Sequence, residues 1–184
     1  MKEQGNRFLE RSSQLGLARL LRPERFLEVL HFFDDAVHLT DGGMETTLIY
    51  HDGIDLPDFA AFTVLATDTG RAALARYYDA YLTVAEKRGL PIVLDTPTWR
   101  ASSDWGERLG YSAEQLADVN RDAVAFVREA CAGRATRVVT SGAIGPRGDG
   151  YVAEGLMSTS EARSYHAPQV DALAAAGVDL VSAI

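Results

Sequence analysis

Short apolar runs and longer segments with helical periodicity alternate along most of this chain. Four runs have the length of a buried strand, and they cover residues 36–39, 91–94, 137–140 and 178–182. Between the runs, apolar residues recur every three or four positions, which is the spacing of one buried helix face. The pattern therefore predicts alternating strands and amphipathic helices from Val37 onward.

Capping signals predict where three of the helices begin and end. The first helix ends at Gly89, and the second and third begin at Ser112 and Ser158. Gln115 and Glu161 each stand three residues after one of those serines, which is the capping-box pattern. Since no tight two-residue turn joins two strands, we predict parallel β/α units whose strands end at one common edge. The apolar face of the first helix comprises Leu74, Tyr77, Tyr78, Tyr81, Leu82 and Ala85.

The two ends of the chain differ from this pattern. Residues 1–36 are locally basic and predict one or two short amphipathic helices, so we expect an N-terminal helical extension ahead of a domain over residues 37–184. The chain ends at Ile184, at the predicted fourth strand. We therefore expect either an incomplete portion of a longer protein or self-association through an uncovered strand edge.

Composition narrows the classes of function. A length of 184 residues with 47% hydrophobic residues allows one sizeable core. The net charge of -8 disfavours binding to nucleic acid or to a membrane surface, so a small-molecule ligand is the default. Cys131 is the single cysteine and no signal-peptide pattern opens the chain, so we expect a cytoplasmic protein without disulfides.

Side chains with useful chemistry follow the first two predicted strands. After the first strand, the Asp41 carboxylate can hold an ammonium group or a hydroxyl, and two glycines let a ligand approach the backbone. Residues 95–102 bring an acid, hydroxyls, an aromatic ring and a guanidinium to the end of the second strand. The alternatives are an ordinary Asp-Gly turn and a loop capped by Asp95 with Trp99 as buried filler. The candidate substrate-binding residues are Asp41, Gly42, Gly43, Asp95, Thr96, Thr98 and Trp99.

Two further classes of site are disfavoured by spacing. The glycine-rich residues 141–151 after the third strand lack the Rossmann spacing and the P-loop Gly-Lys-Ser/Thr, so nucleotide binding is a weak hypothesis. The histidines show no metal-ligand spacing with one another or with Cys131, which is more typical of a core residue than of a nucleophile. The sequence therefore predicts no metal site within this chain.

Together, these stretches resemble the homocysteine S-methyltransferase family. Residues 41–46 (DGGMET) resemble its Asp-Gly-Ala/Gly-Met-Gly-Thr loop, and residues 96–102 (TPTWRAS) its Thr-Asn-Thr-Phe-x-Ala-Thr stretch. Residues 142–146 (GAIGP) resemble its Gly-Ser-Val/Ile-Gly-Pro, and residues 176–180 (AGVDL) the run into its fourth strand. The four matches occur in the family's order between Val37 and the end.

The resemblance implies an α/β fold with parallel β/α units that form the first half of a TIM-type (β/α)8 barrel. It also implies a transferase that moves a methyl group from a donor to a small thiol such as homocysteine, forming methionine in the full-length protein. The family holds zinc with three cysteines from the second half of the barrel, and this chain has none of them. The resemblance thus predicts an inactive portion that contributes substrate-facing loops, with no catalytic residue assigned.

Three positions depart from the family pattern. Glu45 stands where the family usually has glycine, and Pro97 where it often has asparagine. Ile184 stands roughly where many members have a glutamate that binds the ammonium group of the amino acid. The exact acceptor is therefore less defined than the reaction class, and a related thiol or selenol remains open.

Two other functions remain compatible with the residues. One is a zinc-independent aldolase-like or lyase-like barrel in which Asp41, Asp95 and Arg147 bind an oxyacid. The other is a non-catalytic half-barrel that dimerises through its open strand edge. Activity that survives chelation would favour the first, and a stable stoichiometric oligomer would favour the second.

Overall fold

The computed structural model describes residues 37–150 and 156–183. Four parallel strands form one sheet in the order in which they occur along the chain: β1 Leu39–Thr40, β2 Ile92–Asp95, β3 Val138–Ile144 and β4 Leu180–Ala183. The helices are α1 Met44–Tyr50, α2 Asp68–Arg88, α3 Ser103–Arg108, α4 Ala113–Ala130 and α5 Thr159–Ala175, with 3₁₀ turns at Pro57–Phe59 and Ala61–Ala66. The helices predicted within residues 1–36, and Ile184, lie outside the described residues.

The predicted helix ends are confirmed. Ser112 and Ser158 each accept a hydrogen bond from the backbone N–H three residues on, and the side chains of Gln115 and Glu161 accept one from the backbone N–H of the serine, so both capping boxes are complete. Gly89 ends α2 with a φ of 62°, a conformation that glycine adopts without strain. Within the described ranges, no helix is both long and apolar enough to cross a membrane.

Helices α2 and α4 cover one face of the sheet and bury the main core. Ile92 and Leu94 of β2 are fully buried with Leu74 and Leu82 of α2 and Val127 of α4. Because side chains alternate across a strand, the intervening residues of β2 project toward the opposite face. The last of these is an acid, so β2 itself directs a carboxylate away from the helices.

Strand β3 is longer than the sequence pattern predicts. The prediction ended this strand near residue 140 and placed Ser141 to Ile144 in a loop, but these four residues pair with β4. Gly142 permits this pairing beneath α5, since a Cβ at that position would lie 2.9 Å from a methyl carbon of Leu173. Tertiary packing, rather than local pattern, therefore sets the end of β3.

The short helices α1 and α3 were not predicted. Helix α1 begins directly after Gly43, whose φ of 68° turns the chain out of β1. Helix α3 follows the loop after β2 and buries Gly106 against Leu116 of α4. Both are shorter than the window in which helical periodicity is recognisable, which explains why they escaped the pattern.

Candidate functional site

The carboxylate of Asp41 lies at the junction between β1 and β2. Its Oδ1 accepts a 2.9 Å hydrogen bond from the backbone N–H of Asp95, and its Oδ2 accepts a 3.0 Å bond from the hydroxyl of Tyr77. Burial, with a smaller contribution from the nearby Asp95 charge, raises the pKa of Asp41 to about 6 against the opposing effect of its hydrogen bonds. Asp41 is thus a fixed carboxylate whose charge changes close to neutral pH.

The two glycines after Asp41 have free space at their Cβ positions within the described part of the chain. Among the described residues, apart from the adjacent ones in sequence, no heavy atom lies within 4 Å of the Cβ position of either Gly42 or Gly43. Helix α2 holds the backbone of this turn, because the carbonyl of Gly42 accepts hydrogen bonds from the hydroxyls of Tyr77 (3.2 Å) and Tyr81 (2.7 Å). No side chain of the described residues therefore occupies the Cβ positions of this turn.

The carboxylate of Asp95 is fixed by the two following strands. Ser182 of β4 donates a 3.0 Å hydrogen bond to Oδ1 of Asp95, and Ser141 of β3 donates a 2.9 Å bond to Ser182. The side-chain hydroxyls of two successive strands, β3 and β4, are thereby linked to the acid at the end of β2. Ser182 was not among the predicted site residues, and a lone serine in an apolar run carries no sequence signal for such a role.

A third carboxylate, that of Glu45, lies near Asp95. Burial raises the pKa of Glu45, and the Asp95 charge contributes to the rise, whereas the Arg100 guanidinium opposes it. Glu45, which stands where the resembled family usually has glycine, therefore adds a negative charge close to Asp95. Three acids close to one another form an environment suited to a cationic group on a ligand.

Thr96 and Thr98 use their hydroxyls within the fold. Thr98 donates a 2.7 Å hydrogen bond to the carbonyl of Ala143, so the proton in the 2.6 Å contact between the two hydroxyls must come from Thr96. Thr96 in turn accepts a bond from the N–H of Ala143. Both predicted substrate-binding threonines are buried, and both hydroxyl protons are used in the hydrogen bonds that fix the loop to β3. Neither proton is therefore left to donate to a ligand.

Trp99 packs on the loop that follows β3. A Cβ on Gly145 would lie 2.5 Å from the carbonyl oxygen of Trp99 and 2.7 Å from its indole nitrogen, so only glycine fits there. The guanidinium of Arg100 lies between two indole rings, 4.2 Å from the Trp99 centroid and 3.7 Å from the Trp105 centroid, and its Nη1 donates to the carbonyl of Gly148. This stacked layer fixes the loops after β2 and β3 to each other.

Arg147, Cys131 and His166 have positions or partners other than the carboxylates of Asp41, Glu45 and Asp95. Arg147, which the oxyacid hypothesis requires, pairs through its Nε with Asp104 at 2.8 Å and lies over the ring of Tyr165. Cys131 is half-buried at the end of α4, and burial raises the pKa of its thiol to about 11, which does not favour a nucleophile. His166 lies in α5, and burial lowers its pKa.

The residues do not fit the zinc ion that the resemblance implies. Across residues 37–150 and 156–183, no group of three or more His, Cys, Asp or Glu side chains is placed to hold a metal ion. The mouth formed by Asp41, Glu45 and Asp95 also lacks the nitrogen and sulfur ligands that zinc prefers. The described residues therefore do not supply a zinc centre.

The tyrosines of α2 are the principal site residues that sequence reasoning missed. Tyr77, Tyr78 and Tyr81 were interpreted only as an apolar helix face. In the structure, the hydroxyl of Tyr78 also reaches a strand end, where it donates to the carbonyl of Asp95 at 2.8 Å. The available signal was chemical, since tyrosine carries a polar group at the end of a buried ring, and buried hydroxyls require partners.

Comparisons with known proteins agree with this architecture. The structure resembles the metallated form of the homocysteine methyltransferase MmuM from Escherichia coli, with a TM-score of 0.65 and 24% identity over 86% of this chain and 56% of that chain. For the oxidized form of the same enzyme the TM-score is 0.66, with 21% identity over 85% of this chain and 55% of that chain. This chain therefore spans little more than half the length of those enzymes, and its four-stranded parallel sheet corresponds to a partial TIM barrel.

The sequence itself carries the family assignment. No curated protein matches the chain closely. A model of the homocysteine S-methyltransferase family, in contrast, matches residues 38–183, which is nearly all of the chain after the N-terminal segment and includes every carboxylate and tyrosine of the site. This chain therefore belongs to the homocysteine S-methyltransferase family.

Proposed function

We propose that this chain forms the acceptor-binding part of a cytoplasmic enzyme that transfers a methyl group to the thiol of homocysteine or a closely related amino acid. The observation that carries the proposal is the pair of carboxylates, Asp41 and Asp95, at the ends of adjacent parallel strands and next to the Gly42-Gly43 turn. An amino-acid thiol presents one permanent cation at neutral pH, its ammonium group. Two fixed acids next to a glycine turn are suited to hold that cation.

In this proposal, the described residues bind and orient the acceptor. Asp41 is held by the Asp95 N–H and Asp95 by the Ser182 hydroxyl, so neither carboxylate needs to reorganise when the ammonium group arrives. The layer formed by Trp99, Arg100 and Trp105 fixes the neighbouring loops. Methionine formation from homocysteine would follow from this binding mode in the complete catalytic assembly.

Glu45 and Asp95 support an amino-acid acceptor despite the isoleucine at position 184. Where many relatives have a glutamate for the ammonium group, this chain has an apolar residue, and Ile184 lies outside the described part. Asp95, linked to β4 through Ser182, and Glu45, which replaces the usual glycine, bring negative charge to the same mouth. We infer that these two acids take over the electrostatic role of the missing glutamate.

Calorimetry with matched ligands tests the proposal. We expect homocysteine to bind and 4-mercaptobutyrate, which keeps the thiol and the carboxylate but lacks the ammonium group, to bind at least ten times more weakly. The cost of leaving a buried carboxylate without its cationic partner accounts for this difference. Equal affinity for the two compounds would contradict a site built around the ammonium group.

The inactivity of the chain by itself is also part of the proposal. The described residues offer no zinc ligands, so we expect no methyl transfer from the purified chain with zinc and a methyl donor present. Zinc titration of the same sample is the accompanying measurement. A stoichiometric high-affinity zinc site together with methionine formation would overturn this part of the proposal.

A further inference from the structure

Three tyrosines on one face of α2 reach the ends of β1 and β2. Tyr77 and Tyr81 are one helical turn apart with ring centroids separated by 5.1 Å, and Tyr78 lies against Tyr77 at 5.3 Å. Their hydroxyls point toward the strand ends, but they contact different atoms. Only the hydroxyl of Tyr77 contacts a side-chain carboxylate, that of Asp41, whereas those of Tyr78 and Tyr81 contact backbone carbonyls.

The single hydroxyl proton of Tyr77 has two acceptors within reach. Oδ2 of Asp41 lies at 3.0 Å and the carbonyl of Gly42 at 3.2 Å. Tyr81 already satisfies that carbonyl at 2.7 Å, and an ionised carboxylate is the stronger acceptor. The proton of Tyr77 is therefore directed to Asp41.

We propose that Tyr77 is a positioning residue of the acceptor site, whose hydroxyl fixes Oδ2 of Asp41 and favours its charged form, while Tyr81 holds only the Gly42 backbone. This inference rests on the proposed function for the identity of the ligand, but the contact itself does not. With Oδ1 held by the Asp95 N–H and Oδ2 by Tyr77, both oxygens of Asp41 have a fixed direction.

The groups around Asp41 act in opposite directions. Burial and the charge of Asp95 on β2 favour the neutral acid, and Glu45 of α1 adds a further negative charge beside Asp95. The Asp95 N–H and the Tyr77 hydroxyl favour the carboxylate. Tyr77 itself stays neutral, because burial and the charge of Asp41 raise its pKa well above its ordinary value. It therefore remains a hydrogen-bond donor to Asp41 across the pH range in which Asp41 ionises.

The test compares Tyr77→Phe with Tyr81→Phe, which remove the same atom from neighbouring rings. The Asp41 carboxyl is followed by carbon NMR during a pH titration, and its signal is assigned by its loss in Asp41→Asn. We expect Tyr77→Phe to raise the pKa of Asp41 by about 1 unit, the equivalent of one lost hydrogen bond to a charged group. Tyr81→Phe should leave that pKa unchanged. An unchanged pKa in Tyr77→Phe, or an equal shift in both variants, would overturn the inference.

A second substitution at position 77 keeps the test interpretable if Tyr77→Phe misfolds. Replacing Tyr77 by 3-fluorotyrosine retains the ring and the hydroxyl but makes the hydroxyl a stronger donor, so the pKa of Asp41 should fall instead of rise. Opposite shifts in the two variants support direct donation. An upward shift in both would indicate a packing effect and contradict the proposal.

Binding measurements separate this inference from the proposed function. We expect the pH midpoint for homocysteine binding to move upward with the Asp41 pKa in Tyr77→Phe and to stay in place in Tyr81→Phe. If the pKa moves as expected and no variant binds homocysteine, Tyr77 still positions Asp41 and the proposed acceptor is wrong. If homocysteine binds and neither the midpoint nor the pKa moves, the acceptor stands and the role of Tyr77 is refuted.

Discussion

The backbone N–H of Asp95 donates a 2.9 Å hydrogen bond to Oδ1 of Asp41, so the acid that follows β1 also caps the end of β2. One side chain thereby serves both a structural and a ligand-binding role. Removing the charge of Asp41 should affect ligand binding, whereas removing its hydrogen bonds should affect the fold. An asparagine at position 41 separates the two, because its oxygen can still accept from Asp95 and its nitrogen can donate to the hydroxyl of Tyr77.

Asp41→Asn should weaken homocysteine binding and preserve the fold. We expect a loss of about 1.5–3 kcal/mol in binding free energy, the range for a hydrogen bond to a charged group. Calorimetry measures the affinity and a thermal melt reports on the fold. Asp118→Asn, which changes an exposed acid on α4, is the matched control and should leave affinity unchanged. Unchanged affinity in Asp41→Asn would remove Asp41 from the site.

Homocysteine binding should depend on pH through Asp41. The ammonium group of the ligand interacts with the ionised carboxylate, and burial raises the pKa of Asp41 to about 6. The association constant should therefore fall about tenfold for each pH unit below this value and level off above it. Calorimetry at pH values above and below 6, in buffers with matched ionisation enthalpies, measures the pH midpoint of binding. A flat profile through pH 6 would exclude Asp41 as the titrating ligand contact.

Fold stability should respond to Asp41 in the opposite sense. The pKa of Asp41 is raised from an ordinary value of 3.8 to about 6, so the folded state binds the proton more tightly than the unfolded state does. This contribution stabilises the fold at low pH and is lost as pH rises through about 4 to 6. Asp41→Asn should remove this loss and raise the free energy of unfolding near neutral pH by about 1–3 kcal/mol. Urea unfolding at several pH values tests the sign, and a destabilised variant at neutral pH would contradict it.

Gly145→Ala should disturb the loop that carries Trp99. The new Cβ would lie 2.5 Å from the Trp99 carbonyl oxygen, so backbone must move, at a cost of about 1–3 kcal/mol in unfolding free energy. Gly148→Ala lies in the same loop with no heavy atom within 4 Å of its Cβ and should cost less than about 0.5 kcal/mol. Chemical denaturation compares the two. Equal costs would show that the Trp99 contact does not constrain the loop.

The chain should associate through β4. In residues 37–150 and 156–183, this strand pairs only with β3, and Val181 is 37% exposed on it. Sedimentation velocity over a range of concentrations should show concentration-dependent association, and Val181→Lys should reduce it. Val84→Lys, at a 51% exposed position on α2, serves as the control and should not. A monomer at all concentrations would refute the prediction.

The three long helices and the order of strands could be predicted because their signals are local. The apolar face around Leu74 and Leu82, the Ser112 and Ser158 boxes and the glycine that ends α2 each lie within a few turns of chain. Such signals act through backbone hydrogen bonds between near neighbours, so a single sequence contains them. The motif resemblance relied on the same kind of contiguous residues.

The sequence by itself determined the α/β class, the family and the positions of Asp41 and Asp95 at the ends of neighbouring strands. Only the tertiary structure decided how the site is built. It showed that the hydroxyls of Thr96 and Thr98 donate to groups of the fold itself. It also showed that the hydroxyl of Tyr77 donates to Asp41, which lies 36 residues away in the chain. The physical reason is that a hydroxyl or carboxylate gains its role from the partner that packing brings to it. Those partners are set by contacts between distant segments, which no local pattern encodes.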